Sequence, residues 1–141
     1  MISNSVALEE LRNSWNGVRE LRKSIQASLL GSFAQGASFV IFIADAAHNL
    51  PLVHAYSVLN EVLLHLREEK HFECKNFFLG HLLTNSKNCL PWRDFDLVKE
   101  GADRRNDIAH RGKILPRGDC WKYIDAIEKE LIGWEIVKKE P

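Results

Sequence analysis

The stretch DFDLVKEGADRRNDIAHRGK, Asp94 to Lys113, decides how the rest of this chain is read. At about 100° per residue, Phe95, Leu97, Val98, Gly101, Ala102, Ile108 and Ala109 fall on one apolar arc, the pattern of an amphipathic helix. Gly112 supplies the left-handed stop common just past a helix end. Arg105 falls near the middle of the arc, whereas Arg104 projects to the polar side with Asp107. A guanidinium in an apolar seam needs a partner. Asn106 and His110, four residues apart, lie over one another at the seam's edge, so the spacing predicts that Arg105, Asn106 and His110 converge.

Helical periodicity continues on both sides. From Ser5 to Leu30 the residues Leu8, Leu11, Trp15, Val18, Leu21, Ile25 and Leu29 recur at steps of three and four, with Ser5 as the expected N-cap and Glu9 and Glu10 near the positive end of the dipole. Gly31 to Gly36 is read as a break. Ala37 to His48 is read as a short helix rather than a strand, because Ala44, Ala46 and Ala47 extend it and no second strand exists to pair with it. Leu50-Pro51 is expected to start a further helix reaching about Phe72, since proline suits a first helical position. A short helix over Asn76 to Leu83 follows, then the break TNSKNCLPW. Pro116 to Asp119 introduces a last helix carrying Ile124, Ile127, Leu131 and Trp134. The expectation is an all-α, antiparallel bundle of four to five helices, one domain over residues 1–141.

Composition narrows the function classes. Nineteen Lys plus Arg balance nineteen Asp plus Glu, so no global basic field marks a nonspecific nucleic-acid binder. Between Gly101 and Lys122, however, six cations (Arg104, Arg105, Arg111, Lys113, Arg117 and Lys122) face three acids, a local net of +3. Cations near a helix C-terminus also answer the dipole, which accounts equally well for Arg111 and Lys113. Cys74, Cys89 and Cys120 have no paired spacing and read as reduced thiols. The apolar run Phe39 to Ile43, closed by Asp45, is far short of the roughly 20 residues a bilayer span needs, so no membrane is implied. The start MISNSVALEE lacks a basic head and an apolar export core, which argues for the cytoplasm.

Arg105-Asn106-Asp107-Ile108-Ala109-His110 resembles the R-x4-H motif, in its R-N-x-x-x-H form, of the HEPN domains, small helical proteins that are often ribonucleases. The resemblance implies a metal-independent endoribonuclease of the toxin-antitoxin or antiviral-defence kind, with no cofactor, leaving 2′,3′-cyclic phosphate ends. It implies a homodimer in which two motifs face each other. Arg105 would clamp the phosphate, His110 would move a proton or contact the 2′-hydroxyl, and Asn106 would orient them. Those residue types fit metal-free phosphodiester cleavage: histidine titrates near ~6.5 and arginine's planar fork matches a phosphate. RNA is the implied substrate, and an antitoxin or defence protein the implied partner. No tyrosine flanks His110, so the antitoxin modification that targets such a tyrosine is not implied.

Arg104, Arg111 and Lys113 are expected to steer RNA, and Trp92, in the loop before the motif helix, is the tryptophan expected to stack on it. Trp15 and Trp134 lie on apolar stripes and read as core. Glu61 or Asn60 would supply the polar residue that some HEPN sites draw from an earlier helix. His54, Glu61 and His65 stack at steps of seven and four, a spacing compatible with a divalent metal but equally with a solvated face, and no metal is assigned. A different class stays open: a non-catalytic HEPN-like module that binds nucleotide or protein, with Arg105 bonded inside the bundle and Asn106 and His110 capping a helix.

Overall fold

A stripe such as Leu11, Trp15 and Val18 is stable in water only when another element covers it. The computed structural model describes residues 1–32 and 37–141, with side chains for 1–28 and 44–141. It contains α1 (Ser5–Ser32), α2 (Ala37–Glu68), α3 (Leu79–Ser86), α4 (Phe95–Arg111) and α5 (Arg117–Gly133). The chain is 72% helical with no strand among the described residues, so the all-α bundle expected from periodicity is the fold.

Contacts along α1 give the helix directions. Trp15 Nε1 and Arg19 Nε donate to Glu128, and Arg22 Nη1, further along α1, donates to Asp125, earlier in α5, so the two helices are antiparallel. Ser3 N donates to Glu69 while Gly17 faces His54, so α1 and α2 are antiparallel as well. Between them lies one cluster of buried side chains to which all five helices contribute. Trp15, Val18, Leu52, Tyr56, Leu59, Leu63, Leu82, Val98, Tyr123, Ile127 and Leu131 have no exposed surface. Each large apolar side chain so buried contributes roughly 1.5–3 kcal/mol.

Four local expectations are corrected. Asn4, not Ser5, caps α1: its Oδ1 accepts from Val6 N and Ala7 N, both at 3.1 Å. Pro51 does not start a helix but lies inside α2, which runs unbroken from Ala37 to Glu68. An internal proline removes one main-chain bond and costs ~3 kcal/mol. Tertiary contacts on both sides offset it: Asp45 Oδ1 accepts from Arg117 N at 2.9 Å, Asn49 accepts from Leu115 N at 2.9 Å and donates to Leu115 O at 2.9 Å, and Leu52, Ala55 and Tyr56 are buried just beyond.

α2 then stops at Glu68 rather than near Phe72, because Lys70 turns left-handed at φ 66°. His71 N donates to Leu66 O and Lys70 N to Arg67 O, the paired bonds of a Schellman stop. Last, α3 begins at Leu79 instead of Asn76. Arg67 Nη1 donates to Asn76 O at 2.9 Å, and Phe78 is extended at φ −81°, ψ 141°, so Phe77 and Phe78 precede the helix. Of the break expected at Gly31 to Gly36, residues 33–36 lie outside the described residues, and α1 continues through Ser32.

Candidate functional site

α4 carries the motif and is fixed at three points. Asp94 caps its N-terminus by accepting from Leu97 N at 3.2 Å. Behind that cap Glu130 of α5, 2% exposed, accepts from Arg93 N at 2.8 Å and from Asp94 N at 2.8 Å. In mid-helix Gly101 lets α4 press onto two tyrosines: a Cβ built there would lie 2.0 Å from Tyr56 Oη and 2.7 Å from the Tyr123 ring. Tyr56 donates to Val98 O at 2.8 Å, and burial raises its pKa well above the usual tyrosine value. At the far end Gly112 takes φ 65°, ψ 20°, the left-handed stop read from the sequence. Three residues on, Leu115 is held by Asn49.

Arg105, one turn past Gly101, is half-buried. Its Nε is buried, and no acceptor reaches it among the described residues. The side chain lines a groove of about 440 Å³ shared with Ser57, Asn60 and Glu61 of α2 and with Phe77, Phe78 and Leu79. Asn60 and Glu61 thus share the groove with Arg105 from the preceding long helix. Phe77 and Phe78 were not marked by the sequence reading, which placed both inside a helix. The signal was two adjacent aromatics directly after a turn-forming asparagine, since first-turn side chains need not face the core.

Asn106 and His110 are exposed and do not line this groove. The expected convergence therefore fails within one chain, for a geometric reason: His110 is five residues from Arg105, about 140° around the helix. Asn106 and His110 make no side-chain hydrogen bond among the described residues.

The neighbouring cations differ in their freedom. Arg104 is half-buried and paired: its Nη1 donates to Asp119 at 2.9 Å and to Tyr123 Oη at 3.2 Å, and its Cζ lies 5.8 Å from the Tyr123 ring centroid. The Tyr123 hydroxyl and then Asp119 hold this guanidinium more firmly protonated than usual. Arg104 ties α4 to α5. Arg111 is exposed with Asp107 at 3.8 Å, and Lys113 is exposed beyond Gly112. Trp92 stands at the other end of α4, about 22 Å of helix from His110 at 1.5 Å per residue. Its Nε1 donates to Ser86 O at 3.3 Å, and its ring packs edge-on against Phe95 and Trp134 at 5.3 and 4.7 Å. That makes it a packing residue remote from the motif.

His54, Glu61 and His65 do share one face, opening on a shallow groove with Glu10 and Ser14. No three His, Cys, Asp or Glu among the described residues are grouped so as to hold a metal ion. Cys120 is buried, with its thiol pushed up to about 12 by burial, while Cys74 and Cys89 are free thiols nearer the surface. No described helix is long and apolar enough to cross a membrane. Compared with known proteins, the chain matches no family model, no curated protein and no solved structure.

Proposed function

We propose that this chain is a HEPN-like, metal-independent endoribonuclease of the toxin or antiviral-defence type, acting in the cytoplasm as a homodimer. The observation that carries the reading is Arg105. Its guanidinium sits on an otherwise apolar helix face with a buried, unaccepted Nε and opens onto a groove. Leaving a buried donor unsatisfied costs roughly 1–3 kcal/mol, a loss that an arginine kept for structure alone would avoid, and the part of the side chain that lines the groove would pair with an anion there.

A phosphodiester supplies such an anion. In the proposed reaction His110 takes the 2′-hydroxyl proton, the 2′-oxygen attacks the phosphorus, the P–O5′ bond breaks with the 5′-oxygen taking a proton from water to leave as a 5′-hydroxyl, and a 2′,3′-cyclic phosphate remains. Arg105 stabilises the charge that builds on the phosphoryl oxygens, and Asn106, one turn before His110, orients it. Because Arg105 and His110 diverge around α4, the reading requires a second copy to complete the site at the dimer seam. Arg111 and Lys113, both exposed, add positive charge near His110. An antitoxin or activating partner would act by covering or assembling that seam.

The test is cleavage of total RNA in excess EDTA by the wild-type protein, Arg105→Ala and His110→Ala, with analysis of fragment ends. Cyclic-phosphate ends from the wild type alone are the expected result. The same divergence favours one rival, a nucleotide-binding module without catalysis, since the Arg105 groove is formed without His110. Inert wild-type dimers that still bind RNA through Arg105 would make that rival the better reading.

A further inference from the structure

We infer that Phe77 and Phe78 form a nucleobase-stacking subsite beside Arg105, so that the groove takes an unpaired stretch of RNA, with a base on the aromatic faces and its phosphate on the guanidinium. The inference rests on the RNA reading above and adds the part of the substrate that is gripped.

Large exposed aromatics are costly to leave in water, yet Phe77 is 62% and Phe78 60% exposed. Their rings lie 4.8 Å apart at 31°, and the His81 ring follows at 6.5 Å from Phe78. Neither is loose: Phe78 leads directly into α3, whose Leu79, Leu82 and Leu83 are buried, and Arg67 holds the preceding turn through Asn76 O. The apolar surface is therefore held outward on a fixed frame.

What shares the groove selects the occupant. An apolar partner surface would leave the Arg105 guanidinium unanswered and would cover Glu61 and Asn60 without matching them. A nucleotide answers each kind of group: its base stacks on a phenyl face, its phosphate accepts from Arg105, and its base edge donates to Glu61 or bonds the Asn60 amide. The groove's volume of about 440 Å³ is within the range of small-ligand sites. Bases in a duplex are already stacked and paired, so only an unpaired strand offers a free face.

The experiment uses the full chain and a fluorescent 2′-O-methyl RNA of about 12 nucleotides, which resists cleavage, either single-stranded or annealed to its complement. Anisotropy titrations at fixed salt compare the wild type with Phe77→Ala/Phe78→Ala and Phe77→Leu/Phe78→Leu. Loss of one stacked base weakens binding by about 5- to 150-fold. That loss is expected for the single strand, with duplex binding little changed. The leucine pair keeps apolar bulk while removing the ring face, so it decides the matter if the alanine pair fails to fold.

Equal binding of the single strand by wild type and leucine variant overturns the subsite, as does equal weakening of strand and duplex. Intact RNA binding combined with loss of the dimer in size-exclusion runs would reassign the pair to the seam between copies, which also overturns it. Stacking without cleavage in the EDTA assay sinks the ribonuclease reading while leaving this subsite standing, and cleavage indifferent to both phenylalanines does the reverse.

Discussion

Replacing Gly101 with alanine sets two known effects against each other. In an exposed helix the change stabilises by about 0.8–1 kcal/mol, because glycine is the poorer helix former. Here the added methyl would stand 2.0 Å from Tyr56 Oη and 2.7 Å from Cδ1 and Cγ of Tyr123, and both rings are fully buried. Overpacking of that kind costs typically 1–3 kcal/mol. Displacing the Tyr56 hydroxyl also breaks its 2.8 Å bond to Val98 O and strands a buried polar group, at about 1–3 kcal/mol.

The steric and polar losses outweigh the propensity gain, leaving a net destabilisation of about 3 kcal/mol, or roughly 10 °C in Tm for a chain of this length. Urea denaturation and a thermal melt measure it. Tyr56→Phe removes the nearest atom. Alone it should cost about 1 kcal/mol, but combined with Gly101→Ala it should recover stability, a coupling of well over ~0.5 kcal/mol in a double-mutant cycle. An alanine variant as stable as wild type, or strictly additive pairs, would refute the claim that close packing at Gly101 seats α4. Since Arg105 lies one turn along, the same variant should also lose RNA cleavage under the proposed function.

Arg105→Ala should leave the urea midpoint within about 0.5 kcal/mol of wild type or raise it, because no described acceptor is abandoned, whereas cleavage disappears; a loss above ~2 kcal/mol would make Arg105 structural. Glu130→Ala should cost about 2–4 kcal/mol in chemical denaturation, since the Arg93 and Asp94 amides lose a buried, charged acceptor, and a change under ~1 kcal/mol would contradict that role. The Ser3 hydroxyl and amide hold the Glu69 carboxyl below its ordinary 4.5. A lowered carboxylate stabilises above its unfolded pKa and loses that contribution as pH falls through the folded one, so Glu69→Gln should flatten the stability curve below pH 4.5, and an unchanged acid limb would contradict the tether.

Much of this fold was legible because burial follows period. The stripe through Leu11, Trp15 and Val18 and the stop at Gly112 are local signals that no distant contact opposes. Pro51 was misread because its local meaning, a helix start, is overridden by Asp45 and Asn49 bonding to residues more than sixty positions away. The same limit governs the site. Position on a helical wheel placed Arg105 correctly against a seam, but it could not show that Asp119 and Tyr123 occupy Arg104. Nor could it show that Arg67 ends the turn at Asn76 and leaves Phe77 and Phe78 outside α3. Periodicity reports which face is apolar, and only tertiary partners decide which polar groups remain free.

The proline within α2 bears on how the molecule opens. A ladder missing one rung transmits cooperativity poorly across the gap, so the helix, one rod in shape, is expected to divide into two segments in hydrogen exchange. Beyond the proline, Leu52, Ala55, Tyr56, Val58, Leu59, Val62, Leu63 and Leu66 belong to the core, and this segment is expected to exchange its amides only when the bundle comes apart. Residues 44–50, although Ala44, His48 and Asn49 are buried, hold the chain that follows the motif, so a separate release of this segment would free Leu115 from Asn49 and Arg117 from Asp45. Such an opening unmoors the C-terminal end of α4, with His110 on it, while the Arg105 groove on the other half of α2 stays built.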